Sequence, residues 1–159
     1  MTHAELVQRA AKWLEQKHAV VVTEMTTGAL TEPDAIGFRG YWSTLIECKA
    51  SRADFHANKR KPLKQMGAYR YFMTPPGLVT LADMPDKWGL LETAPRGVRV
   101  ICEAQQFFDE DRDVHGELSM LVSCIRRIGQ APRPDCVSVK CYTYDTKNRA
   151  TLGIEADHH

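Results

Sequence analysis

Pro33-Asp34 and, shortly after it, Ser43-Thr44-Leu45-Ile46-Glu47-Cys48-Lys49 decide how this chain is read. Successive side chains of an extended strand point to opposite faces, so Leu45, Glu47 and Lys49 share one face and Thr44, Ile46 and Cys48 the other. The residues around Glu47 are largely apolar or β-branched, the composition of an interior strand. Such a strand rarely carries two charges without a compensating partner. A divalent cation and a water beside Asp34, Glu47 and Lys49 would supply one.

Outward from this stretch the pattern alternates helix and strand. Thr2-His3-Ala4-Glu5 has the form of a capping box, and Leu6, Ala10, Trp13, Leu14 and Lys17 keep helical spacing, which predicts a helix over about residues 3 to 17. Strands are predicted over residues 20 to 23, 34 to 38 and 44 to 49, with turns at Gly28 and Gly40 and short connections that favour antiparallel pairing. Ser51-Arg52-Ala53-Asp54 opens a second, basic helix running to Lys61, interrupted by Pro62 and resuming near Lys64. Residues 69 to 73 read as a buried strand before the break at Thr74-Pro75-Pro76-Gly77. A short helical turn at residues 80 to 83 and a strand over residues 97 to 102 follow, so the order is α-β-β-β-α-β with room for one more strand.

Beyond residue 103 the acidic stretch Asp109-Glu110-Asp111-Arg112-Asp113 reads as a solvated loop. It precedes a helix over about residues 117 to 128 with Leu118, Leu121, Val122 and Ile125 on one face. After the break at Gln130-Ala131-Pro132-Arg133-Pro134, residues 137 to 144 and 150 to 154 suit a terminal hairpin. The 159 residues, 43% hydrophobic, fit one domain: a core over residues 1 to 103 with a helix-and-hairpin extension, 104 to 159, packed on it.

The net charge of +1 hides a local cluster, Arg52, Lys59, Arg60, Lys61, Lys64 and Arg70, opposed only by Asp54. A basic face beside carboxylates suits a polyanion. Five cysteines without a CxxC pair fit reduced thiols better than a disulfide framework or a zinc site. No signal-peptide pattern and no span of membrane length is present, which makes the cytoplasm, of a bacterium or a phage-infected host, the expected compartment and gives no expectation of a membrane partner.

On Pro33-Asp34, Glu47-Cys48-Lys49 and this order of elements, the chain resembles the PD-(D/E)XK nuclease superfamily. Residues 46 to 55 and Tyr69-Arg70-Tyr71-Phe72 look, more narrowly, like its MmcB-like DNA-repair branch and phage-encoded relatives. The resemblance implies an α/β fold with a restriction-endonuclease-like core, a mixed sheet flanked by helices. It implies a metal-dependent DNA endonuclease serving repair, recombination or phage DNA processing. Carried over by position, Asp34 and Glu47 hold Mg2+ (or Mn2+) with the backbone carbonyl of Cys48, and Lys49 orients the attacking water. Magnesium prefers hard oxygen ligands and keeps waters, which this set would allow. Many members add a further carboxylate; Glu5 and Glu24 are both candidates, and Glu24, next to Thr23, is preferred.

Each of these residues has a plainer reading. Glu-x-Lys alone describes a salt pair on an exposed strand, and only Asp34 with the succession of elements favours a metal site. Glu5 fits the capping box, and Ser51 and Asp54 fit helix capping, although Ser51 also lies where a phosphate would be held. Ser51, Arg52, Lys59, Arg60, Lys61 and Lys64 are the candidate DNA contacts; a solvated helix face is the alternative for the basic run. The rival function is a non-catalytic nucleic-acid-binding module that retains the nuclease fold. A structure-specific resolvase, a narrower form of the enzyme reading, predicts a two-fold homodimer.

Overall fold

The first helix, α1 (His3–Glu15), begins with the capping box expected of it: Glu5 N–H donates to Thr2 Oγ1 at 3.2 Å and Thr2 N–H to Glu5 Oε2 at 2.6 Å. The computed structural model describes residues 1–25, 32–57, 65–128 and 137–139. One face of α1 buries Leu6, Val7, Ala10, Trp13 and Leu14 against Val21, Ala35, Ile46, Tyr71, Met73 and Leu91 of a sheet. Each large apolar side chain so buried contributes about 1.5–3 kcal/mol relative to exposure.

The sheet is mixed. Strands β1 (Val20–Thr23), β2 (Ala35–Arg39) and β3 (Trp42–Cys48) run antiparallel, as their short connections require. After α2 (Arg52–Ala57), β4 (Tyr69–Thr74) lies parallel to β3 and β5 (Gly89–Ala94) parallel to β4, while β6 (Gly97–Cys102) turns back antiparallel. Helix α3 (Val114–Ile128) follows, then β7 (Val137–Val139), which pairs antiparallel with β1. The order across the sheet is β6-β5-β4-β3-β2-β1-β7. The chain is thus an α/β protein with a mixed sheet flanked by helices, as expected.

Strand β5 escaped the sequence reading because Leu90 and Leu91 stand side by side, one packing with Phe72 and the other under α1. A strand buried on both faces shows no alternation. The α1-distal face is closed in two places. Met120 and Cys124 of α3 cover Val22, Ile36, Phe38, Leu45 and Met66, and Phe55 of α2 joins Phe72, whose ring stacks on Trp88 at 4.4 Å.

Three expectations are corrected. Helix α3 starts at Val114, and Leu118, Val122 and Ile125 are exposed, whereas Met120, Cys124 and Glu117 face inward. The inward face carries a carboxylate because Glu117 Oε1 accepts from Ser43 Oγ at 2.9 Å and Gly67 N–H at 2.8 Å, which docks α3 on the sheet. Residues 65–68 do not resume a helix; Gln65 instead bridges Arg112. Arg70 does not belong to the basic face: it is buried, donates to the carbonyls of Gln65, Met66, Gly67 and Asp111, and lies over the Phe107 ring at 3.8 Å. Lys59, Arg60, Lys61 and Lys64, residues 58–64 of the expected basic helix, and the hairpin beyond β7 lie outside the described residues. Among the described residues Cys48, Cys102 and Cys124 are free thiols, and no helix is long and apolar enough to cross a membrane.

His18, just past α1, ties helix to sheet. Its Nδ1–H donates to Leu14 O at 3.0 Å, leaving Nε2 to accept from Thr44 Oγ1 at 2.9 Å, and its ring lies on Gly37. A Cβ at Gly37 would stand 2.6 Å from His18 Cγ, a rigid part of the side chain, so Gly37→Ala should cost about 1–3 kcal/mol in urea unfolding. An unchanged midpoint would show that the ring gives way freely. Burial lowers the His18 pKa below its ordinary 6.5, so the unfolded chain binds that proton more tightly. The stability from neutral His18 is complete above pH 6.5 and lost as pH falls from there through the folded value. Urea midpoints at pH 7.5 and 5.5 should therefore diverge more in the wild type than in His18→Asn.

Candidate active site

The strand registers gather the carboxylates. Thr23 pairs with Ala35, and Ala35 with Ile46, so one step further along each strand brings Glu24, Asp34 and Glu47 into one row across the ends of β1, β2 and β3. Glu24 N–H donates to Asp34 O at 3.1 Å, extending the β1–β2 ladder by that step. Pro33, buried, fixes the approach to Asp34. Glu24 itself has φ of 44°, a left-handed conformation that costs a non-glycine residue about 1–3 kcal/mol. Backbone strain of this kind sits where the chain must turn sharply out of β1 while keeping its carboxylate beside Asp34.

Each carboxylate has a different setting. Asp34 is partly exposed; its Oδ2 accepts from Cys48 N–H at 2.7 Å, and its Oδ1 lies 3.5 Å from His3 Nε2. The same His3 nitrogen is 3.5 Å from Glu24 Oε1, so the imidazole stands between two carboxylates. Glu47 is buried, 4% exposed, and Lys49 is 6% exposed. The Lys49 ammonium lies 3.6 Å from both Glu47 Oε2 and Asp54 Oδ1, ion-pair rather than hydrogen-bond range. The N–H and C=O of one strand residue project toward the same neighbouring strand, which puts the Cys48 carbonyl on the Asp34 side.

Four carboxylates, Glu24, Asp34, Glu47 and Asp54, therefore surround one lysine and one histidine. The excess is negative, and Cys48 registers it: burial first, then the charges of Asp34 and Glu47, push its thiol far up. It stays protonated, packed under α1, and offers the site only its main chain. Among the described residues no group of three His, Cys, Asp or Glu side chains is placed to hold a metal ion. What fits a cation here is a smaller set, Asp34 and Glu47 with the Cys48 carbonyl, completed by solvent. Magnesium, which retains several waters, accepts such a set.

The remaining candidates divide. Glu5 is spent on the capping box, and its bond to the Thr2 N–H holds its pKa below the usual carboxylate value. Ser51 caps α2, accepting from Asp54 N–H at 3.2 Å. Arg52 reaches Leu78 O at 3.3 Å and Asp83 Oδ1 at 3.4 Å, which ties α2 to the turn Leu81–Asp83. Two participants were missed in the sequence. His3 was seen only as part of a capping box, and Asp54 only as a helix-capping residue. Asp54 was legible in principle, because an acidic residue in the first turn of a helix that follows directly on Lys49 can fold back toward it.

No protein-family model matches this sequence, and no curated protein matches it. In structure the chain is similar to a protein of unknown function, SPO1766, from Silicibacter pomeroyi. The TM-score is 0.59 at 21% sequence identity, over 80% of this chain and 90% of that one. A likeness at that identity speaks for the fold and leaves the chemistry to be argued from the residues above.

Proposed function

We propose that this chain is a metal-dependent deoxyribonuclease with a restriction-endonuclease-like core, hydrolysing phosphodiester bonds in DNA during repair, recombination or phage DNA processing. The observation that carries the reading is the buried Glu47 with Lys49 beside it, in the same row as Asp34. A surface salt pair, the plainer reading of Glu-x-Lys, would not be buried in this way. The succession α1, β1, β2, β3, α2, β4 supports the same reading, since it is the order expected of that core.

Asp34, Glu47 and the Cys48 carbonyl would hold magnesium or manganese, which supplies Lewis acidity at the phosphate and a water of lowered pKa. The chain's own residues do the rest. Asp34 is oriented by the Cys48 N–H, so its other oxygen, Oδ1, is turned away from the strand. Lys49, steadied by Glu47 and Asp54, presents a fixed positive charge in a poorly solvated place, where it stabilises the charge that develops on the phosphoryl oxygens. Arg52 and the basic residues Lys59, Arg60, Lys61 and Lys64 would meet the DNA backbone, which makes affinity salt-dependent. This basic run is what favours DNA over other phosphodiesters.

Purified protein with magnesium or manganese should cleave at least one of duplex, flapped, branched or single-stranded DNA. Asp34→Asn, Glu47→Gln and Lys49→Met should each lower the rate by about a hundredfold or more, with the circular dichroism spectrum of the wild type retained. Glu24→Gln should slow cleavage more than Glu5→Gln, whose loss falls on helix capping. A folded sample that cuts none of these substrates with either metal sinks the enzyme reading. Salt-sensitive DNA binding without cleavage, indifferent to Asp34→Asn, would replace it with the non-catalytic binding module.

A further inference from the structure

The outer face of α3 is apolar and follows a rule. Val114, Leu118 and Ile125 are 39%, 60% and 71% exposed, and with the partly buried Leu121 they are spaced four, three and four residues apart. That is the alternation of a two-helix seam, in which apolar residues recur every 3.5 residues on average. Val122, also exposed, widens the stripe on one flank. Single exposed apolar residues are ordinary, but a continuous stripe along a helix whose opposite side is already docked on a sheet marks an interaction surface.

The spacing reads the same from either end. Two copies of α3 laid antiparallel about a two-fold axis between Ser119 and Met120 would set Val114 opposite Ile125 and Leu118 opposite Leu121 of the other copy. The charges obey the same symmetry. Asp113, which caps α3 by accepting from Gly116 N–H at 2.8 Å, would face Arg126 in the last turn of the other copy. A parallel pairing would instead set Asp113 against Asp113 and Arg126 against Arg126, and like charges in register oppose it. A two-fold interface requires one patch to be complementary to itself, and this stripe has that property in both its apolar and its charged positions.

We infer that the outer face of α3 is the interface of a homodimer, with the two helices antiparallel across a two-fold axis. This stands apart from the proposed nuclease activity, since none of the residues involved belongs to the candidate site. Sedimentation equilibrium of the full chain at micromolar concentration should give the mass of two copies. Leu118→Glu and Ile125→Glu, both at exposed positions, should keep the wild-type circular dichroism spectrum and weaken association by at least about thirtyfold, the loss of a central apolar anchor. Orientation is read by oxidising a mixture of Val114→Cys and Ile125→Cys proteins and mapping the linked peptides by mass spectrometry. The expected product joins position 114 of one copy to position 125 of the other, with no 114–114 link in Val114→Cys alone. A monomer at 100 μM, a dimer untouched by both glutamates, or a 114–114 link would each overturn the inference; the first would leave the stripe to another segment of the chain or to a different protein.

Discussion

Burying Glu47 together with Lys49 at the end of β3 is the constraint on which the arrangement of the site depends. Taking two charges out of water costs several kcal/mol per ion, and their mutual attraction repays it only when further polar partners are at hand. Here the chain path supplies them. Lys49 N–H donates to Met73 O at 2.9 Å, holding the main chain on β4 just past the last residue of β3. Ser51 then caps α2 immediately, and the first turn of that helix brings Asp54 back to the Lys49 ammonium. A longer connection would leave the ammonium with Glu47 alone, at a spacing too wide for a hydrogen bond. The tight strand-to-helix turn is therefore an electrostatic requirement as much as a topological one.

The second requirement is register. Because side chains alternate along each strand, a slip of one residue between β1, β2 and β3 would send Asp34 and Glu47 to opposite faces of the sheet. The apolar pattern forbids the slip: Ile36 and Leu45 belong under α3, and Ala35 and Ile46 under α1. The core thus sets where the carboxylates stand. Helix α1 adds its own contribution through the capping box, which fixes the first turn so that His3 reaches Glu24 and Asp34. Glu5 serves the site by holding the helix end that presents His3, which is a different task from binding a metal.

Local signals carried much of this into the sequence. Capping boxes, strand alternation and proline-glycine breaks were enough for α1, β1 to β4 and β6, and the Asp34, Glu47, Lys49 set followed from burying charge in an apolar strand. What could not be read were contacts between residues distant in sequence. His3 meets Asp34 only because α1 crosses the sheet at one particular angle. Arg70 looked like one more member of a basic cluster, yet four main-chain carbonyls and the Phe107 ring take it inside. A guanidinium can be buried when its donors are satisfied, and composition does not reveal when they will be.

Helix α3 shows the same limit from the opposite side. Its periodicity declares an apolar stripe, and the default inference is that the stripe faces the core. The sheet instead receives Met120 and Cys124 together with the Glu117 carboxylate, because Ser43 and the N–H of Gly67 need an acceptor at that point. Once a buried hydrogen-bonding need selects the inward face, the more hydrophobic side is left outward. Periodicity measures how apolar residues are arranged around a helix; which side is buried is decided by the partner surface, and in α3 that surface is polar enough to prefer the carboxylate.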